Sequence, residues 1–247
     1  MFAVFLAGIA AGTINTVVGS GTLITFPTLL AFGVPPVTAN VSNTVGLVPG
    51  SLSGAIGYRR ELRGQRGRLL RLGSASLLGG ITGAVLLLAL PAAAFDAIVP
   101  ALIGLGCVLV VLQPTIGRRV AARAEARGGV PEHGAAWVWV LVFLTGIYGG
   151  YFGAAQGVLL MAVMGIGIQE SLQRLNGTKN VLALLVNGVA ALIFIVVADV
   201  DWAVAGLIAL GAVIGGQVGA SVGRRLPPLA LRIFIVLVGI IALVILV

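Results

Sequence analysis

The sequence predicts an all-α polytopic membrane protein: two inverted four-element repeats, each opening with a broken or re-entrant helical hairpin followed by three transmembrane helices. Three observations carry this prediction. Hydrophobic residues make up 59% of the 247 and charged residues 9%, against about 25% charged in a soluble domain. Short motifs recur in the same order in both halves of the chain. Equivalent loops of the two halves differ in charge.

Apolar runs cover almost all of the chain, and a spanning helix needs roughly 20 such residues. The longest polar stretch, residues 113–134, leaves no soluble domain to cut out. A net charge of +8 in a soluble protein would suggest nucleic acid. Here the bases sit in short loops between spans, where they set membrane orientation, so no nucleic-acid partner is expected. The single cysteine, Cys107, lies in an apolar run, which excludes a disulfide or thiolate metal framework. Only Met1 precedes the first apolar run, so the charged n-region of a signal peptide is not expected.

"FLAGI" at Phe5–Ile9 matches "FLTGI" at Phe143–Ile147, an offset of 138. "GGITGA" at Gly79–Ala84 matches "GGQVGA" at Gly215–Ala220, and Leu90-Pro91 matches Leu226-Pro227, both at 136. Residues 1–113 therefore form a first transmembrane repeat, 114–136 a cytoplasmic Arg-rich linker and 137–247 a second repeat. Internal repeats are a common way to build secondary transporters. The first repeat divides into a long apolar segment (2–33) and spans near 37–58, 69–90 and 97–113. The second divides into 137–169 and spans near 177–198, 202–222 and 229–247.

Cytoplasmic loops are enriched in Lys and Arg. The loop after the second element of the first repeat holds Arg59, Arg60, Arg63, Arg66, Arg68 and Arg71 against Glu61, a net +5, and is placed inside. Its counterpart, "ADVDW", carries Asp199 and Asp201 with no base and is placed outside. The next loop, "PAAAFD" with Asp96, is outside, and its counterpart "GRRLPP", with Arg224 and Arg225, is inside. The repeats are thus predicted to be inverted. The central loop, with Arg118, Arg119, Arg123 and Arg127 against Glu125 and Glu132, belongs inside. Segment 137–169 must then enter and return on the same side, and segment 2–33 must do likewise from the other.

This assigns a purpose to "INTVVGSGTLITFP" (14–27), where polar and helix-breaking residues interrupt an uncharged run. Gly19-Ser20-Gly21 would be the tip of a hairpin turning within the membrane; the alternative is one long kinked helix. Backbone groups freed at that depth find no water in lipid and cost several kcal/mol each, so the tip must be buried in protein or face a watery cavity. Half-helix N-termini attract anions, and glycine lets a ligand approach the backbone.

Polar residues gather at both tips and at the starts of both following helices. In the first repeat these are Asn15, Ser20, Thr22 and Thr25, then Thr38, Asn40, Ser42, Asn43 and Thr44. In the second they are Gln156 between Gly153 and Gly157, then Asn176, Thr178, Lys179 and Asn180. Hydroxyls and amides can donate hydrogen bonds to an anion; the plainer reading is that they cap and join helices. Lys179 precedes the uncharged run Asn180–Ala198. It is a candidate charge partner for a substrate or a lysine snorkelling to the headgroups; Arg174 reads as a surface charge. The pairs Gly8–Gly12, Gly50–Gly54, Gly79–Gly83, Gly146–Gly150 and Gly215–Gly219 fit close helix packing.

Other chemistries are not supported. The one histidine, His133, lies in the central loop, so no intramembrane Ser/His dyad or His metal site is expected. A phosphate-binding P-loop is missing. No catalytic residue, cofactor or metal is expected, and the chain does not read as an enzyme. Carboxylates lie only near span ends or in loops, and Glu170 is the least poor candidate to carry a coupling proton.

The stretch "AGTINTVVGSGTLITFPTLLAFGVPPVTANVSNTVG", with "GGYFGAAQGVLLMAVMGIGIQESLQRLNGTKN" in the second half, resembles the sulfite exporter TauE/SafE family of membrane permeases. The resemblance runs nearly the whole chain; it rests on the glycine-rich first segment, Pro27, the turn at Gly33–Pro35 and the Asn/Ser/Thr start of the next helix. It implies a multi-pass protein of the bacterial plasma membrane that moves small sulfur-containing anions such as sulfite, sulfonates, sulfoacetate or thiosulfate. By resemblance, the tips Asn15–Thr22 (with Gly19, Ser20 and Gly21) and Gly153–Gly157, and the clusters Asn40–Thr44 and Asn176–Asn180, would surround the anion. Ser20 departs from the denser glycine run usual at the first tip. Alternating access between the repeats, with H+ or Na+ as a coupling ion, is the expected mechanism. A channel-like pore for anions or small solutes and a non-transporting membrane scaffold or assembly factor remain the alternatives.

Overall fold

The computed structural model describes residues 1–126, 134–221 and 228–246. Among these, the chain forms ten helices: α1 Phe2–Val17, α2 Thr22–Ala31, α3 Pro36–Gly57, α4 Arg66–Ala89, α5 Ala92–Ala126, α6 Ala136–Tyr151, α7 Gln156–Gly167, α8 Leu172–Val197, α9 Trp202–Ser221 and α10 Pro228–Leu246. Four are long and apolar enough to cross a bilayer: Arg66–Ala89, Ala92–Leu112, Leu172–Val197 and Trp202–Ser221. Helix α3 is 22 residues long but carries the Asn/Ser/Thr cluster, which lowers its hydropathy.

The two long opening segments are both broken. In the first, Gly19 adopts φ +89° and ends α1 by donating its N–H to the Ile14 carbonyl at 3.0 Å. In the second, Gly153 at φ +74° does the same to Tyr148, also at 3.0 Å. A left-handed residue at a helix end is a glycine position. Each chain then doubles back. A Cβ added at Gly21 would lie 2.5 Å from the Ala11 carbonyl. One at Gly167, the last residue of α7, would lie 2.3 Å from a Val138 methyl near the start of α6. The second segment therefore begins and ends side by side, which excludes one long kinked helix.

Elements of one half pack on the exchanged elements of the other. Helix α1 lies on α9, and α6 on α4; α5 meets α7, and α10 meets α2. The small-residue pairs hold the first two of these contacts at backbone distance. A Cβ on Gly215 would sit 2.1 Å from the Ile9 carbonyl, and one on Gly83 would sit 2.1 Å from that of Ile147. Between spans, where lipid removes the hydrophobic drive for association, such close approach supplies the packing. Leu and Val side chains on the outer faces, among them Leu70, Leu192 and Val196, remain exposed, as a lipid-facing surface requires.

The stretch expected as linker, 114–136, opens as a continuation of α5 beyond its apolar part, which ends at Leu112. Helix α5 runs on to Ala126 despite Pro114, because the Ala- and Arg-rich stretch that follows favours helix. Residues 127–133, with Arg127, Glu132 and His133, and residues 222–227, with Arg224 and Arg225 of the "GRRLPP" loop, lie outside the described residues.

Candidate functional site

The two tips meet. The Gly157 N–H donates to the Gly19 carbonyl at 3.0 Å, and a Cβ on Gly19 would fall 2.3 Å from the Gly157 Cα. Only two glycines allow this contact. Phe26 of α2 braces it, its ring edge-on to Phe152 with centroids 5.0 Å apart.

Each tip brings together the C-terminus of one half-helix and the N-terminus of the next. The last carbonyls of a helix have no intrahelical partner, and here the opposite repeat supplies one. Lys179 of α8 is fully buried, and its Nζ donates to the carbonyls of Asn15 and Thr16, both at 3.0 Å. Asn176 and Asn180 donate their side-chain amides to the same Thr16 carbonyl, each at 3.3 Å. In the other direction, Asn40 of α3 donates to the Tyr151 carbonyl at the end of α6, at 2.9 Å. A cation at a helix C-terminus opposes the negative end of the dipole. The ends of α1 and α6 are thus capped in trans, one by an ammonium and two amides, the other by an amide alone.

The N-terminal ends of α2 and α7 carry no side-chain cap. Around them sit buried polar atoms with no hydrogen-bond partner among the described residues: Ser20 Oγ, Gln156 Nε2, Asn40 Oδ1, Asn176 Oδ1 and the hydroxyls of Tyr148 and Tyr151. Ser20 precedes the N-cap of α2 and Gln156 opens α7, so both flank the starts of the returning half-helices. A buried polar atom left unpaired costs about 1–3 kcal/mol, and Ser20 Oγ and Gln156 Nε2 are two such donors at the tips. Ser20 and Gln156 carry donors at the tips, and Lys179 has one ammonium proton left after its two carbonyls.

Several predicted site residues make hydrogen bonds within the chain. Asn43 takes a hydrogen bond from Thr25 on its oxygen and gives one to Thr22 Oγ1 at 3.3 Å, so it ties α3 to α2. Thr44 donates to the Asn40 carbonyl in its own helix at 2.9 Å. Ser42 accepts from the Asp201 N–H at 2.8 Å, and Thr178 donates to Gln65 Oε1 at 3.0 Å. Gly21 packs on Ala11 and Asn15, and Gly153 makes the turn.

Thr16, Tyr148, Tyr151 and Gln65 were not singled out by sequence. Thr16 acts through its carbonyl, which no residue type reveals. The tyrosines fall within an ordinary apolar helix. Gln65 sits in a loop read only for its charge.

A family model described as sulfite exporter TauE/SafE matches residues 4–246. A probable membrane transporter protein, ORF9, from Sinorhizobium sp. is 29% identical over 227 residues, covering 87% of this chain and 80% of that one. The probable membrane transporter protein YfcA of Escherichia coli K12 is 26% identical, covering 90% and 81%. A probable membrane transporter protein of Haemophilus influenzae is 24% identical, covering 88% and 82%. No solved structure matches.

Proposed function

The chain belongs to the sulfite exporter TauE/SafE family and is a multi-pass membrane transporter, and from that premise we propose that it is a permease for small sulfur-containing oxyanions, bound where the two hairpin tips meet. The observation that carries this reading is a pair of buried donors at the two tips, Ser20 Oγ and Gln156 Nε2, with no partner among the described residues. Carbonyls at both tips are already taken by Asn40, Asn176, Lys179 and Asn180. What the tips still offer is donors: a hydroxyl, an amide and the remaining ammonium proton. That set suits an anion and disfavours a cation. Lys179 supplies the ammonium at the tips, and the neutral donors bind oxygens without requiring full dehydration.

Sulfite, thiosulfate, sulfonates and sulfoacetate are the substrates this donor set favours. The two repeats are inverted, with the Arg59–Arg71 loop cytoplasmic and Asp201 outside, and one rocks against the other around the tips. The exchanged packing of α1 on α9 and α6 on α4 supports a twofold relation between them. A proton or sodium ion can couple the movement.

The experiment is uptake of labelled sulfite and thiosulfate into proteoliposomes, with and without unlabelled anion inside. Saturable uptake accelerated by internal anion is the expected result. Unitary currents in a planar bilayer would mean a pore, and a complete lack of flux would return the chain to the scaffold reading.

A further inference from the structure

Next to the tips lies a second cluster that anion binding does not use. Gln65, at the start of α4, is 2% exposed and engages four groups. Its Nε2 donates to the carbonyls of Glu61 at 2.7 Å and Arg174 at 3.2 Å. Its Oε1 accepts from the Thr178 hydroxyl at 3.0 Å and from Arg68. Arg68, 4% exposed, reaches across to the Glu170 carboxylate at 3.2 Å, which also holds Arg174 Nε at 3.0 Å. Gln65 and Arg68 belong to the first half of the chain; Glu170, Arg174 and Thr178 belong to the second. Thr178 is the immediate neighbour of Lys179.

The opposite end has a counterpart. Adding 136 to Gln65 gives Asp201, and subtracting 136 from Thr178 gives Ser42. These two are also hydrogen-bonded, from the Asp201 N–H to Ser42 Oγ at 2.8 Å. The same pair of positions is therefore joined at both ends. The ion pair is not repeated: the places matching Arg68 and Glu170 are Val204 and Val34.

We propose that Gln65, Arg68 and Glu170 form the gate that closes the arginine-rich end of the transport path, and that Ser42 and Asp201 form the gate at the other end. The inference rests on the alternating-access reading. Passage of substrate at the arginine-rich end requires α8 to leave the Gln65 turn, which breaks the Thr178 and Arg174 contacts and the Arg68–Glu170 pair together. Because Thr178 adjoins Lys179, the same movement withdraws the ammonium from the Thr16 carbonyl and frees it for the anion. The ion pair at one end only makes that gate the stronger, so the resting protein is closed there and opens first at the Ser42–Asp201 end.

The test is thiol labelling of Asn176→Cys, in the full chain with Cys107→Ser, using an impermeant maleimide applied to each face of reconstituted vesicles. Asn176 lies between the gate and the tip and is 8% exposed. The expected result is slow labelling from the arginine-rich face, accelerated at least tenfold by Glu170→Gln or Gln65→Leu. Slow labelling should return in the exchanged pair Arg68→Glu with Glu170→Arg. A melting curve shows that each variant is folded, and restored protection in the exchanged pair separates a lost gate from general damage. Equal labelling in all folded variants, or acceleration only from the opposite face, overturns the proposal. The readout needs no substrate, so an altered labelling pattern without any anion flux would sink the permease reading and keep the gate.

Discussion

The N–H of Gly157 donates to the carbonyl of Gly19 across 3.0 Å, joining two turns that lie 138 residues apart in the chain. Such a contact needs two backbones to approach with no Cβ between them, and at Gly19 it also needs a left-handed conformation. Gly19→Ala should therefore fail in two ways. The conformation alone costs about 1–2 kcal/mol, and the added methyl drives into Gly157. The expected outcome is a lowered melting temperature and loss of uptake, read on the same purified sample; wild-type values for both would mean that the tips do not meet in this way.

Lys179 holds the end of α1 through two carbonyls. Lys179→Met keeps the bulk of the stem and removes the donor, leaving buried carbonyls short of a partner at a cost of about 1–3 kcal/mol. Both stability and anion affinity should fall, measured by thermal unfolding with and without thiosulfate. A variant that binds thiosulfate as tightly as the wild type would limit Lys179 to capping the helix.

Glu170 gives a pH prediction. Burial pushes its carboxyl up, but the Ser171 N–H and the Arg174 and Arg68 guanidinium groups outweigh this and hold it below the ordinary value of 4.5. A depressed carboxyl contributes stability that is fully present above 4.5 and is lost as pH falls through its lower folded value. The melting temperature of the wild type should therefore fall more steeply below about pH 4.5 than that of Glu170→Gln. Parallel curves would show that the ion pair adds nothing.

Inversion of the repeats is tested by topology. Cysteines placed at Arg63 and at Asp201, in a Cys107→Ser background, should label from opposite faces of the membrane, Arg63 from inside and Asp201 from outside. Labelling of both from one face contradicts the inversion.

The sequence was most legible where the physics is local. Gly19 and Gly153 marked the breaks because only a glycine readily takes that conformation, and the spans at 37–58, 69–90, 177–198 and 202–222 fall within five residues of α3, α4, α8 and α9 at either end. The span expected at 97–113 ends where the apolar part of α5 does, at Leu112, yet the helix continues to Ala126, since charged residues after Gln113 signal water and not the loss of a helix. Residue type also could not divide the polar cluster. Asn43 and Asn40 look alike in sequence, yet one ties its own repeat together and the other caps the opposite one. Which carbonyl a side chain meets is fixed by how the halves dock, and that docking lies beyond any single segment. The Gln65 cluster is hidden for the same reason: its partners in the second half, Arg174 and Thr178, are more than 100 residues away.

The most direct test is a thermal-shift comparison of the wild type with Ser20→Ala, against sulfite, thiosulfate, a sulfonate and phosphate. A ligand that binds the folded state raises its melting temperature, by about 2.7 kcal/mol of added stability at a hundredfold excess over Kd. In the unliganded protein, Ser20→Ala removes a buried hydroxyl that has no partner, so it should melt at or above the wild-type temperature. It should nevertheless gain much less from the sulfur anions than the wild type does. A wild type that no anion stabilises, or a Ser20→Ala variant stabilised just as strongly, would contradict an anion site at the meeting of the two tips.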